Sequence, residues 1–134
     1  MSEPLLSVRS LVRSFEAGGE ILEVLRGLTL EVPRPTSVAV TGESGSGKST
    51  LLSLVGGLDR PTGGAVLVAG TDITTLDEAA LSVYRSRHVG FIFQFHFLLR
   101  DFTVMENLLI PGMLVPRGAT GARERARGPA GQIR

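Results

Sequence analysis

The run Gly42-Glu43-Ser44-Gly45-Ser46-Gly47-Lys48-Ser49-Thr50 constrains the fold more than any other stretch, because it meets every fixed position of the phosphate-cradle pattern G-x-x-x-x-G-K-[ST]. Three glycines allow the backbone to approach phosphate oxygens without a Cβ in the way. Successive N–H groups then form an anion-binding nest. Such a loop works only between a strand and a helix N-terminus, whose free donors and dipole also face the anion. Both flanks are present: Ser37-Val38-Ala39-Val40-Thr41 is a short β-rich run, and KSTLLSLVGGL is a helix-forming one. A Gly/Ser-rich stretch read alone is a flexible loop; here the flanks argue for a nucleoside triphosphate site. Lys48 is placed against the β- and γ-phosphates, and the Ser49 hydroxyl on Mg²⁺, a hard cation that takes oxygen ligands. Lys48 is also the only lysine, every other basic side chain apart from histidine being arginine. A compact ammonium suits phosphate as a point charge.

Around this loop the sequence alternates between strand and helix signals. Leu6–Phe15 and Glu23–Val32 read as strands joined by a turn at Ala17-Gly18-Gly19. Val38–Val40 is a strand leading into the loop, and Lys48–Leu58 its helix. Pro61-Thr62-Gly63-Gly64 is a turn before a strand at Ala65–Val68. Thr75 and Glu78 have capping-box spacing, opening a helix to about Arg87. Val89–Phe93 reads as a buried strand, and Asp101–Leu114 as a helix that stops before Pro116.

Composition narrows the function classes. A length of 134 residues with 43% hydrophobic content fits one globular domain, yet is short for a complete transport ATPase. With a net charge of +1 and mixed signs, there is no electrostatic footprint for nucleic acid. The absence of cysteine excludes disulfides, thiolate metal sites and thiol nucleophiles. Ser7, Arg9, Ser10 and Arg13 interrupt any signal-peptide core, and no run approaches the roughly 20 apolar residues of a membrane span. A membrane role therefore comes through a partner.

From residue 117 the sequence becomes RGATGARERARGPAGQIR, which cannot bury enough apolar surface to offset its ordering entropy. Residues 117–134 are expected to be a disordered tail or the product of a shifted reading frame; a basic arm for acidic lipid or nucleic acid is the functional alternative. Residues 1–116 form the ordered part.

The stretch STLLSLVGGLDRPTGGAVLVAG resembles the ATP-binding subunits of ABC transporters, and Gly90-Phe91-Ile92-Phe93-Gln94 is similar to their Q-loop. Within that family, Gln94–Asn107, QFHFLLRDFTVMEN, resembles the lipoprotein-releasing type. The resemblance covers about Leu5 to Val115. It implies an α/β fold of the P-loop NTPase class, namely the N-terminal part of an ABC ATPase domain with an antiparallel β-subdomain and an incomplete parallel-sheet core. It also implies ATP and Mg²⁺ as ligands, held by Gly42, Glu43, Ser44, Gly45, Ser46, Gly47, Lys48, Ser49 and Thr50. Gln94 would be a catalytic residue contacting Mg²⁺ and the attacking water. Phe15 stands where the family's adenine-stacking aromatic lies, usually a tyrosine; core packing is its alternative role. His96 is not the family's catalytic histidine, and packing or contact with a membrane subunit is expected for it and Phe97.

The implied partners are transmembrane permease subunits and a second copy of the nucleotide-binding subunit, at the cytoplasmic face of the inner membrane, with no nucleic acid. The signature, Walker B, D-loop and switch-histidine motifs are missing from the 134 residues. Nucleotide binding without useful turnover is therefore expected of this chain, as a transport-ATPase fragment or as an inactive remnant. Val38-Ala39-Val40 is expected to lack flanking strands and expose hydrophobic edges.

Overall fold

The computed structural model describes residues 3–95 and 97–113. The chain divides into two compact units, one ending at Arg85 and the other starting at Ser86.

The first unit is built on a sheet of four strands: β1 (Leu6–Ala17), β2 (Glu20–Val32), β3 (Gly63–Val68) and β4 (Thr71–Asp72), in the order β2-β1-β3-β4. Every pairing among the described residues is antiparallel. The β1–β2 hairpin is longer than the sequence reading gave. Ala17 pairs with Glu20, and the turn is Gly18-Gly19 alone, with φ of 62° and 83°. Two consecutive positive φ values are what a two-residue hairpin turn matching strand twist demands.

Val8 and Leu11 are both fully buried, although three residues apart in one strand. In a regular strand they would face opposite sides. A bulge resolves the conflict: the β1–β2 register shifts between Val8 and Leu11, Ser10 takes φ 46°, and its N–H donates to Thr29 Oγ1 at 2.9 Å. The extra residue returns Leu11 to the core face. Gly64 passes beside this bulge, and a Cβ there would collide with the carbonyl oxygens of Arg9 and Ser10.

Onto that face pack helices α1 (Lys48–Val55) and α2 (Glu78–His88), so that Val8, Leu11, Leu25, Val66 and Ile73 meet Leu51, Leu54 and Leu81. Helix α1 ends at Val55, three residues before the expected Leu58. The Gly57 N–H donates to Leu54 O at 3.1 Å and the Leu58 N–H to Ser53 O at 2.8 Å, with Gly57 at φ 70°. This paired pattern about a left-handed glycine stops the helix. Helix α2 is capped by Asp77, whose Oδ1 accepts from the Ala80 N–H at 2.8 Å, and not by Thr75. The Thr75 hydroxyl instead donates to Asp72 O, closing a single 3₁₀ turn over Ile73–Thr75.

Residues 37–41 form no strand. Val38 and Val40 are 61% and 40% exposed, and no described strand pairs with them. The missing ladder is in line with the expected lack of flanking strands, since no described strand offers these residues a partner.

The second unit corrects another expectation. Residues 89–93 are not a buried strand; Ile92 is wholly exposed, and Phe93 and Phe95 are exposed as well. The Phe91 and Phe93 rings stack at 5.4 Å, and Phe97 meets Phe93 edge-on at 5.1 Å. Helix α3 runs from Val104 to Met113 and not from Asp101. Its start is a capping box: Glu106 Oε2 accepts from the Thr103 N–H and hydroxyl at 2.8 and 2.7 Å, and the Glu106 N–H donates to Thr103 Oγ1 at 3.3 Å. The T-x-x-E spacing was visible in the sequence. Asn107 fixes the preceding turn through bonds to Leu99, Phe102 and Thr103 backbone atoms.

His96 and the segment from residue 114 on, including the expected tail at 117–134, lie outside the described residues.

Candidate nucleotide site

The loop from Gly42 to Gly47 leads straight into α1, and Gly47 occupies the N-cap position with φ 91°. No side chain caps the helix there. Its first backbone donors are therefore left without a side-chain acceptor, the condition that favours an anion at a helix N-terminus.

Two glycines sit at close approaches. A Cβ on Gly47 would lie 3.0 Å from Leu25 Cδ2 and 3.1 Å from Val24 Cγ1, so the loop rests directly on β2. One on Gly42 would lie 2.8 Å from Ser46 Oγ, inside the loop's own curve. The turn is closed by the Ser46 N–H donating to Glu43 O at 3.2 Å, and Leu51 N–H bonds Gly47 O at 2.9 Å to begin the helix.

Lys48 folds back over this cradle. Its ammonium donates to Glu43 O at 2.6 Å, Gly42 O at 2.8 Å and Ser46 Oγ at 3.3 Å. No carboxylate is ion-paired to it among the described residues. A cation held by neutral carbonyls of a glycine-rich loop is matched in charge to an anionic ligand such as phosphate. The residues thus fit a polyphosphate. Ser49 is exposed on the first turn. Among the described residues no group of three metal-ligating side chains occurs, so a divalent ion here would need most of its ligands from phosphate and water.

Phe15 stands at the far end of β1, opposite Leu22. It is 38% exposed and lies outside the buried core cluster. One ring face carries the Arg13 guanidinium, whose carbon is 4.3 Å from the ring centre. Arg13 was not singled out from the sequence, although its i, i+2 spacing to Phe15 on a strand places both on one face. The Phe15 ring and the loop from Gly42 to Thr50 belong to the first unit; Gln94 belongs to the second, exposed at a bend and not at a strand end.

Residues 25–132 match the ABC transporter family. The chain is 44% identical over 126 residues to the lipoprotein-releasing system ATP-binding protein LolD of Treponema pallidum, covering 94% of this chain and 56% of that protein. It is 47% identical over 122 residues to LolD of Pseudomonas syringae pv. tomato, covering 91% and 54%. Among solved structures it is similar to the dimeric post-hydrolysis state of the ATP-binding cassette MJ0796 bound to ADP and Pi. That likeness has a TM-score of 0.85 and 32% identity, over 92% of this chain and 54% of that one. The chain spans about half the length of the curated relatives it matches.

Proposed function

Because the chain belongs to the ABC transporter family, as the N-terminal part of its P-loop ATPase domain, we propose that it captures Mg-ATP for a transport ATPase of the lipoprotein-release type. The observation that carries this is the Lys48 ammonium, held on the Gly42 and Glu43 carbonyls at the mouth of a side-chain-free helix N-terminus. Displacing two carbonyl contacts by β- and γ-phosphate oxygens exchanges neutral acceptors for charged ones, adding the attraction of opposite charges to each hydrogen bond.

In this proposal residues 42–50 cradle the phosphates, the Ser49 hydroxyl ligates Mg²⁺, and Phe15 offers its ring face to adenine. Gln94 is the residue assigned to Mg²⁺ and the attacking water, and to contact with a transmembrane permease subunit. The lipoprotein class is supported by the likeness to the LolD proteins, and a pair of nucleotide-binding subunits by the dimeric cassette structures. No described helix is long and apolar enough to cross a membrane. That accords with peripheral attachment through a permease at the cytoplasmic face.

Calorimetric titration of the chain with ATP in the presence and absence of Mg²⁺, beside Lys48→Ala, tests the reading. Saturable binding that Lys48→Ala abolishes supports it; equal binding by the two proteins sinks it.

A further inference from the structure

Arg13 and Phe15 project from the same face of β1, and the central carbon of the guanidinium sits over the ring, 4.3 Å from its centre. The same guanidinium reaches Asp59: Nη2 is 2.9 Å from Oδ2 and 3.0 Å from Oδ1. Asp59 directly follows the glycine-terminated end of α1, and its carboxylate is fixed by the Arg60 N–H at 2.8 Å. Thr62, three residues on, binds the strand on either side of Arg13: its N–H donates to Val12 O at 2.8 Å and its hydroxyl accepts from the Ser14 N–H at 3.0 Å. Arg13 is thus a strut from the Phe15 ring to the helix whose other end holds Lys48.

In an ion pair whose side chains are only 22% and 31% exposed, the attraction is offset by the cost of taking both charges out of water, so stability alone is a weak reason for it. Moreover, among the described residues Arg13 Nε is buried without a hydrogen-bond partner. An unsatisfied donor at such a site is in keeping with a geometry held for a purpose other than stability.

We infer that Arg13 is a positioning residue for the nucleotide base: clamped by Asp59, it covers one face of Phe15 and holds the ring at a set distance from the phosphate cradle, leaving the opposite face for a purine. The inference rests on the proposed role of Phe15 as the base platform.

The test compares ATP with inorganic tripolyphosphate, which engages the cradle and has no base, on the full chain and on Phe15→Ala, Arg13→Gln, Arg13→Lys and the Arg13→Gln/Phe15→Ala double variant. Arg13→Gln is expected to weaken ATP binding about tenfold through loss of the held ring position, with tripolyphosphate unchanged. Arg13→Lys keeps the pair to Asp59 but loses the flat guanidinium. It carries the test if the glutamine variant unfolds, with the same loss for ATP only. The double variant should bind ATP no more weakly than Phe15→Ala alone. Equal weakening of both ligands, or additive losses, would make Arg13 a fold or charge residue and overturn the inference. A clear Phe15→Ala effect beside silent Arg13 variants overturns this inference and spares the platform; a silent Phe15→Ala overturns both.

Discussion

Lys48 Nζ lies 2.6 Å from the carbonyl oxygen of Glu43, five residues earlier, so the ammonium clasps the loop that delivers it. The clasp organises the cradle before any anion arrives, and it ties loop shape and ligand charge to one side chain. Lys48→Met is expected to abolish nucleotide binding while changing thermal stability little, because the three bonds it removes are exposed. A melting curve run beside a titration checks both halves.

Gly47→Ala should be more damaging to the fold than Lys48→Met. The new methyl group meets Val24 and Leu25 and must sit at φ 91°. Holding a non-glycine residue there costs about 1–3 kcal/mol, read as a lower unfolding midpoint in urea.

Gly64→Ala strikes the bulge instead of the loop. Its Cβ would run into backbone atoms of Arg9 and Ser10, which cannot rotate away as a side-chain tip can. A loss of about 2 kcal/mol or more is expected, with the β1–β3 pairing the first to weaken. Amide exchange at Val66 and Val68 is the measurement.

Leu54 is 2% exposed on α1 and belongs to the core beneath the sheet. Leu54→Ala is expected to cost about 2–5 kcal/mol and, by loosening the helix that presents Lys48, to weaken nucleotide binding in the same preparations. Unchanged affinity at a lowered melting temperature would separate the cradle from the core behind it.

Hydrogen bonds from the Thr103 hydroxyl and amide hold the Glu106 carboxyl below its ordinary value of 4.5. A carboxyl lowered on folding adds stability that is complete above that ordinary value and fades as the pH falls through the lower, folded one. The first turn of α3 should therefore loosen only in acid below pH 4.5, and the Thr103 amide resonance, followed against pH, should report it. Thr103→Val deletes the hydroxyl bond and keeps the amide one, so it should shrink the pH response without abolishing it.

Much of this was legible in the residues. The phosphate loop was read from its fixed positions because its requirements are local: a left-handed glycine, a helix start and one lysine lie within nine residues. The strand β1 was likewise read from its strand-type residues, and the helix α2 from a capping-box spacing, each to within a few positions. Caps were less legible. Thr75–Glu78 had the right spacing and did not cap, since Thr75 was taken by Asp72, whereas Thr103–Glu106, with the same spacing, did.

What the sequence determined by itself was chemistry carried by neighbours in the chain: a polyphosphate cradle, its lysine and its helix. Only the tertiary structure decided the relations that depend on partners far apart in sequence. The bulge that brings Val8 and Leu11 to one face, the denial of strand form to residues 37–41 and the Arg13–Asp59 strut under Phe15 are of that kind. A hydrogen-bond ladder or an ion pair exists only when its other half is brought to within about 3 Å, and no local pattern states which half that will be.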